Sequence, residues 1–201
     1  MFDRTPLSAF SLTLGLSLAL IPAAGAQEQR PFPKVPNFGF GVEAGMNGMT
    51  GITGVTLTYW PMDRLAVDAG LGVGALGAAV GTGVRGYMLE TRHIHPFTGV
   101  AYRYTSGADQ FTMMLDEGAN GERHYDFQAA IDPSHFVNLQ AGIEFRWGPF
   151  QLRPALGWSQ KIVGGDWHVL SGTAPTGADA DPVNIILGSG PSVTVNTGFA
   201  F

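Results

Sequence analysis

Cysteine is absent from these 201 residues. No disulfide, thiolate metal site or cysteine nucleophile is available, and a secreted domain stapled by disulfides is excluded. Charge is scarce too: Asp, Glu, Lys and Arg make up 13% of the chain, against about 25% in soluble domains. The balance is acidic, with 11 basic and 16 acidic residues and a net charge of −5. That argues against nucleic acid or anionic lipid as a main partner. The mature part also lacks an apolar run of the roughly 20 residues that a helical membrane span needs. What is abundant is glycine, at 29 residues, about twice its usual share of roughly 7%. Low charge, high glycine and dispersed apolar residues fit a transmembrane β-barrel, whose apolar content sits at alternate positions.

The front of the chain is different. Leu7 to Ile21 is apolar with only Ser, Thr and Gly as relief, Pro22 breaks it, and Ala24-Gly25-Ala26 offers a small-x-small cleavage site. Residues 1–26 therefore read as a cleavable secretory signal; the stretch is short for an uncleaved anchor. Residues 27–36, with three prolines, read as an extended periplasmic tail.

Residues 37–201 alternate with a period of two, which signals strands with one apolar and one polar or small face. Eight segments show it: about 37–46, 52–60, 65–75, 80–89, 97–104, 135–147, 150–162 and 192–201. In the sixth, Val137, Leu139, Ala141, Ile143, Phe145 and Trp147 oppose Phe136, Asn138, Gln140, Gly142, Glu144 and Arg146. In the last, Val193, Val195, Thr197, Phe199 and Phe201 oppose Ser192, Thr194, Asn196, Gly198 and Ala200. Asn47-Gly48 signals a tight turn after the first strand, and Gly148-Pro149 a sharp one after the sixth. Connections after the second, fourth and sixth strands are short. Those after the fifth and seventh, about 105–134 and 163–191, read as long loops. Short periplasmic turns opposite longer extracellular loops are the asymmetry of outer-membrane barrels. Tyr59, Trp147, Phe150, Phe199 and Phe201 would girdle the periplasmic end, and Tyr104, Phe136 and Trp158 the outer end. Pro154, inside the seventh strand, calls for a bulge because it lacks a ladder N–H.

The terminal Thr197-Gly198-Phe199-Ala200-Phe201 resembles the C-terminal signature of bacterial outer-membrane β-barrels. With the eight alternating segments, it makes residues 37–201 resemble the small outer-membrane barrel superfamily of the OmpX-like or OmpA-transmembrane-domain kind, often labelled porin family. The resemblance implies an all-β fold, an eight-stranded antiparallel transmembrane barrel in the cell outer membrane. It also implies outer-membrane lipid around the barrel and assembly machinery that recognises Phe199 and Phe201. No peptidoglycan-binding domain follows the last strand, so a cell-wall tether is not expected.

The inner face would carry Glu43, Asp68, Arg85, Arg103, Glu144, Arg146, Arg153 and Lys161. An eight-stranded barrel is just wide enough for side chains to fill, so these charges form either a polar core or an ion-pair gate in a narrow pore. Gly72-Val73-Gly74-Ala75-Leu76-Gly77 matches a dinucleotide-binding turn, but the glycine-rich residues after it do not make the required helix. Reading Leu65–Val84 as one transmembrane helix would put Asp68 and six glycines inside it. His93-Ile94-His95 lacks a third metal ligand nearby. His124-Tyr125-Asp126 and Ser134-His135 supply the residue types of a lipid-modifying Ser–His–acid site, without a motif at strand spacing. Met113-Met114-Leu115 gives the first long loop an apolar patch for the barrel rim or an extracellular ligand. The expectation is a non-enzymatic outer-membrane platform, without cofactor or metal, whose loops 105–134 and 163–191 bind outside the cell. A narrow channel is the alternative, and a lipid A-modifying enzyme the more distant one.

Overall fold

The computed structural model describes residues 36–89, 93–117, 123–164, 166–173 and 188–201, with side chains for all of these except 113–117 and 123–125. Residues 1–26, read as an export signal, and nearly all of the stretch 27–36 read as a tail lie outside the described residues.

Among the described residues eleven strands follow one another: β1 Phe38–Gly48, β2 Gly51–Met62, β3 Leu65–Gly74, β4 Gly77–Tyr87, β5 Ile94–Thr105, β6 Ala108–Glu117, β7 Arg123–Ile131, β8 Ser134–Trp147, β9 Phe150–Gly164, β10 Trp167–Gly172 and β11 Gly190–Ala200. Eight of them close into an antiparallel barrel in the order β1-β11-β9-β8-β5-β4-β3-β2. These match the eight alternating segments. The last strand pairs with the first, Phe40 opposite Phe199 and Val42 opposite Thr197. Phe38 and Phe201 exchange backbone hydrogen bonds of 3.0 and 2.8 Å. Closure leaves no edge in the barrel.

Three expectations are corrected. The stretches read as long loops carry β6, β7 and β10, which form a separate three-stranded sheet with β7 in the centre. Their alternation was there to see: Phe127, Ala129 and Ile131 are buried, and Gln128 and Ala130 between them are half-buried. The stretch's polar composition masked it. Next, Pro154 needs no bulge: it faces Val195 on β11, and on β8 the pairs Gly142–Ala155 and Phe145–Leu152 to either side share one register. The β8–β9 irregularity falls instead at His135/Phe136. Finally, Asn47-Gly48 is not the centre of the first turn. Gly48 pairs with Gly51, so Met49 and Thr50 form the two-residue tip. Asn47, at φ 55°, lies within the irregularity between Ala44 and Gly48.

The barrel is polar inside and apolar outside. Phe40, Leu57, Leu71, Val80, Val100, Leu139, Leu156, Val195 and Phe199 are exposed, while Arg85, Glu144, Thr58, Ser159 and Asn196 are buried. Leu65–Val84 is a β3–β4 hairpin, not a helix.

Candidate functional site

Strand alternation delivers the site. In β4 the inward positions are Ala79, Gly81, Gly83, Arg85 and Tyr87; in β8 they include Phe136, Asn138 and Glu144. Six of the eight expected lumen charges are buried: Glu43, Asp68, Arg85, Arg103, Glu144 and Arg153. Arg146 and Lys161 are half-buried.

Five of the eight meet in one network near the end of the barrel where β1 begins and β11 ends, called the terminal end below. Arg85 grips Asp68 with two donors, Nε to Oδ2 at 2.5 Å and Nη2 to Oδ1 at 2.9 Å. Its Nη1 donates to Glu144 Oε2 at 2.7 Å and to the Tyr87 hydroxyl at 2.7 Å. Tyr87 donates to Glu144 Oε2 at 2.6 Å, and Arg146 Nε donates to Glu144 Oε1. Arg153 Nη1 stands 3.7 Å from Asp68 and 3.9 Å from Glu144. The Thr58 hydroxyl donates to Asp68 at 2.6 Å. Three guanidinium groups thus face two carboxylates, a net charge of +1 in a largely enclosed cluster, with Arg146 at its more open side. Such a cluster holds together only through dense pairing and hydrogen bonding, since each desolvated ion costs several kcal/mol.

Below this layer Trp60, Tyr87 and Phe97 close the lumen at the terminal end, packed with Ala66, Ala155 and Ala200. Arg146 lies 5.1 Å from the Trp60 ring centroid and Arg85 5.3 Å from that of Phe97, both cation–π geometries. Tyr87, Trp60 and Thr58 are network members that the sequence reading did not single out. The signal was present, since Tyr87 follows Arg85 at the inward spacing of two.

Above the network the β1–β2 tip folds into the lumen. Met49 and Thr50 are buried, and Glu43 Oε1 accepts the Thr50 N–H at 3.1 Å and its hydroxyl at 3.0 Å. The space comes from glycine. A Cβ on Gly72 would run into the Thr50 carbonyl oxygen, and one on Gly81 into Met49. Gly72 therefore serves backbone approach within a hairpin, and the dinucleotide-turn match has no helix behind it. Higher still, Arg103 Nη1 donates to the Gly48 carbonyl at 2.8 Å, and its guanidinium lies 4.2 Å from the Phe136 ring centroid. Phe136 is fully buried in the lumen, so it does not belong to the outer aromatic belt. Lys161 stands near the far end of β9, where its backbone N–H meets the Ser189 hydroxyl at 3.0 Å.

The three-stranded sheet covers the mouth at that far end. Phe127, Ala129 and Ile131 of β7 pack with Leu76 of the β3–β4 turn and with Phe136, flanked by Phe111 of β6 and Trp167 of β10. Gln128 on the sheet's other face accepts from Gln110 at 2.9 Å and from Ser171 at 3.2 Å, linking all three strands.

The histidines are dispersed. Ser134 and His135 take opposite faces of β8: Ser134 is buried with its hydroxyl on the Asp132 carbonyl, while His135 Nδ1 lies 2.5 Å from the Tyr102 hydroxyl on the outside. They do not form a nucleophile–base pair. His124 sits on β7 opposite Asp116, and its side chain lies outside the described residues, as do those of Met113, Met114 and Leu115. His93 Nδ1 lies 3.0 Å from the Arg146 carbonyl oxygen, and His95 meets the edge of Tyr87. Among the described residues no three His, Cys, Asp or Glu side chains group to hold a metal ion.

On the outside, aromatic rings run round the terminal end: Phe38 with Tyr59 at 5.1 Å, Phe145 with Trp147 at 5.6 Å, Trp147 with Phe150 at 6.0 Å, and Phe150 with Phe199 at 6.1 Å between centroids. Tyr102 and Tyr104 flank His135 near the far end.

No protein-family model and no curated protein matches the sequence. Among solved structures, the N-terminal β-barrel domain of Pseudomonas aeruginosa OprF is similar at 12% identity and a TM-score of 0.45, over 84% of this chain and all of that one.

Proposed function

We propose that this chain is an integral outer-membrane protein whose barrel is a sealed, non-enzymatic platform. It presents the β6–β7–β10 sheet outside the cell as a binding surface. One observation carries the reading: the barrel is inverted. Its outer wall exposes Phe, Leu, Val and Tyr on every strand, and its inner wall buries Arg, Asp, Glu, Asn and Thr. A water-soluble domain leaves no continuous apolar wall of this kind uncovered. A closed barrel satisfies all its backbone groups internally, as hydrocarbon requires, and outer-membrane barrels combine an apolar outer band with aromatic girdles. The β2–β3 and β8–β9 turns, with the start of β1 and the end of β11, then face the periplasm.

The filled lumen supports a platform over a channel. Trp60, Tyr87 and Phe97, the five-charge network, the inward Met49–Thr50 tip and the β7 cap succeed one another along the axis. A barrel of this width has no room for an aqueous path past them. The test is planar-bilayer conductance of the refolded protein, with heat-shifted gel mobility as the check on folding. A folded, silent barrel is the expected result. Discrete conductance steps would overturn the sealed reading, and failure to insert into lipid would overturn the membrane assignment.

A further inference from the structure

The outer wall of the barrel is almost free of charge. At the outward positions of its eight strands, His135 is the only histidine, lysine, arginine or carboxylate. It stands opposite Tyr104 across β5 and β8, with ring centroids 5.2 Å apart. Its Nδ1 lies 2.5 Å from the Tyr102 hydroxyl, and the Tyr102 ring centroid is 5.9 Å away. Nε2 has no hydrogen-bond partner among the described residues, and it is not one of the enclosed polar atoms. His135 is half-buried, and this nitrogen is open to the outside. Tyr104 beside it is 36% exposed.

Strand geometry sets the height of this trio. Twelve residue steps of β8 separate His135 from Trp147, which belongs to the aromatic rings at the terminal end. At about 3.4 Å per residue and a tilt of about 40°, that is roughly 30 Å along the barrel axis, just beyond an apolar band of about 25 Å. His135 therefore stands at the headgroup level of the opposite leaflet. Toward the terminal end the wall beneath it turns apolar, with Val100, Leu139 and Leu156 exposed. An aromatic girdle needs only amphipathic rings. An imidazole oriented by a neighbouring hydroxyl is a recognition group, because the bond at one nitrogen sets what the other offers.

We propose that His135 and Tyr104 bind the phosphate of an outer-leaflet lipid headgroup, with Tyr102 positioning the imidazole. A hydroxyl donated to Nδ1 leaves the ring proton on Nε2, and a protonated ring carries one on both nitrogens; each form presents an N–H on Nε2. A phosphate oxygen accepts that N–H and the Tyr104 hydroxyl as charge-assisted hydrogen bonds. The acyl chains then lie along Val100 and Leu139. A lipid is the source rather than the free ion because the site is on the hydrocarbon-facing wall, where no lysine or arginine draws a soluble anion. This inference rests on the outer-membrane reading above.

The test titrates the folded protein, in neutral detergent, with diphosphoryl lipid A and with the same lipid after its phosphates are removed. Native mass spectrometry counts the bound lipid. The phosphorylated form should bind about tenfold more tightly, the effect of a hydrogen bond to a charged group. His135→Phe, which keeps a ring, should erase that preference, and Tyr104→Phe should weaken it. Tyr59→Phe, at the terminal end, should leave it unchanged. Should His135→Phe fail to fold, the preference of the unmodified protein and Tyr104→Phe decide. Equal binding of the two lipids, or a preference that survives in folded His135→Phe, would overturn the inference and reduce the trio to a girdle. Displacement of lipid A by equimolar inorganic phosphate would also overturn it and assign the site to the free ion. Insertion into phosphatidylcholine vesicles tests the membrane reading separately. A barrel that inserts but ignores the phosphate refutes only the headgroup site, and one that does not insert refutes both.

Discussion

Replacing Glu144 by Gln and Arg146 by Met should have unequal effects, although the two residues are each other's partners. Two carboxylates and three guanidinium groups form the enclosed cluster. Glu144→Gln leaves Asp68 alone against three cations. It also removes the acceptor that takes Arg85 at 2.7 Å and Tyr87 at 2.6 Å on one oxygen, and puts an amide donor toward a guanidinium or a hydroxyl. Removing one partner from a buried ion pair costs about 3–5 kcal/mol, and Glu144, at 0% exposure, belongs at the upper end of that range. Arg146→Met instead brings the cluster to two against two. It removes a side chain that is 13% exposed and whose Nη2 has no hydrogen-bond partner among the described residues. Its losses are the Glu144 contact and the cation–π contacts with Trp60 and Tyr87, each of the latter about 0.5–2 kcal/mol. The relief of excess positive charge offsets part of this, so a net loss of about 1–2 kcal/mol is expected. Urea unfolding in lipid vesicles, followed by tryptophan fluorescence, measures both. Equal losses, or a larger loss for Arg146→Met, would refute the charge-balance reasoning and mean that lumen water screens the cluster.

Three further expectations are independent of that one. Val195→Arg, outward at the middle of β11, should destabilise the barrel in lipid by about 2–4 kcal/mol, the known range for a cation on the lipid face near the midplane. A loss below about 1 kcal/mol on that scale would contradict a membrane-spanning wall. Phe127→Ala, at the centre of the cap's core, should cost about 3–5 kcal/mol locally. The readout is protease cutting within residues 108–131 while the barrel keeps its folded gel mobility; simultaneous loss of both would show that cap and barrel are one cooperative unit. Gly81→Val should displace Met49, since its Cβ has no room beside that residue. Overpacking of about 1–3 kcal/mol is expected, read as a lower urea midpoint, and an unchanged midpoint would argue that the tip does not fold inward.

Much of the barrel was legible in the chain because the two-residue period of a strand is a local property. Val137 to Trp147 and Val193 to Phe201 assign their own faces without reference to any neighbour. A charged residue at an apolar strand's small or polar positions is likewise marked as inward by spacing alone, which places Arg85, Arg103 and Glu144. The β7 strand was legible in principle through Phe127, Ala129 and Ile131. Its polar setting looked like a loop, because the apolar face is covered by barrel residues distant in sequence.

What the sequence determined by itself is therefore the strand count of the wall, the face each residue takes and the inside-out distribution of polarity. These follow from backbone geometry and from the alternation it imposes. Only the tertiary structure decided which charges meet. Asp68, Arg85 and Glu144 come together because β3, β4, β5 and β8 are neighbours in the closed order and share a register. Glu43 meets Thr50 because the Met49–Thr50 tip turns inward. The cap exists because strands 36 or more residues apart along the chain, β7 and β10, find each other above the mouth, as the Trp167–Ile131 pairing records. Pairing across such separations is fixed by barrel closure and by the match of apolar surfaces, neither of which is written in any local stretch of residues.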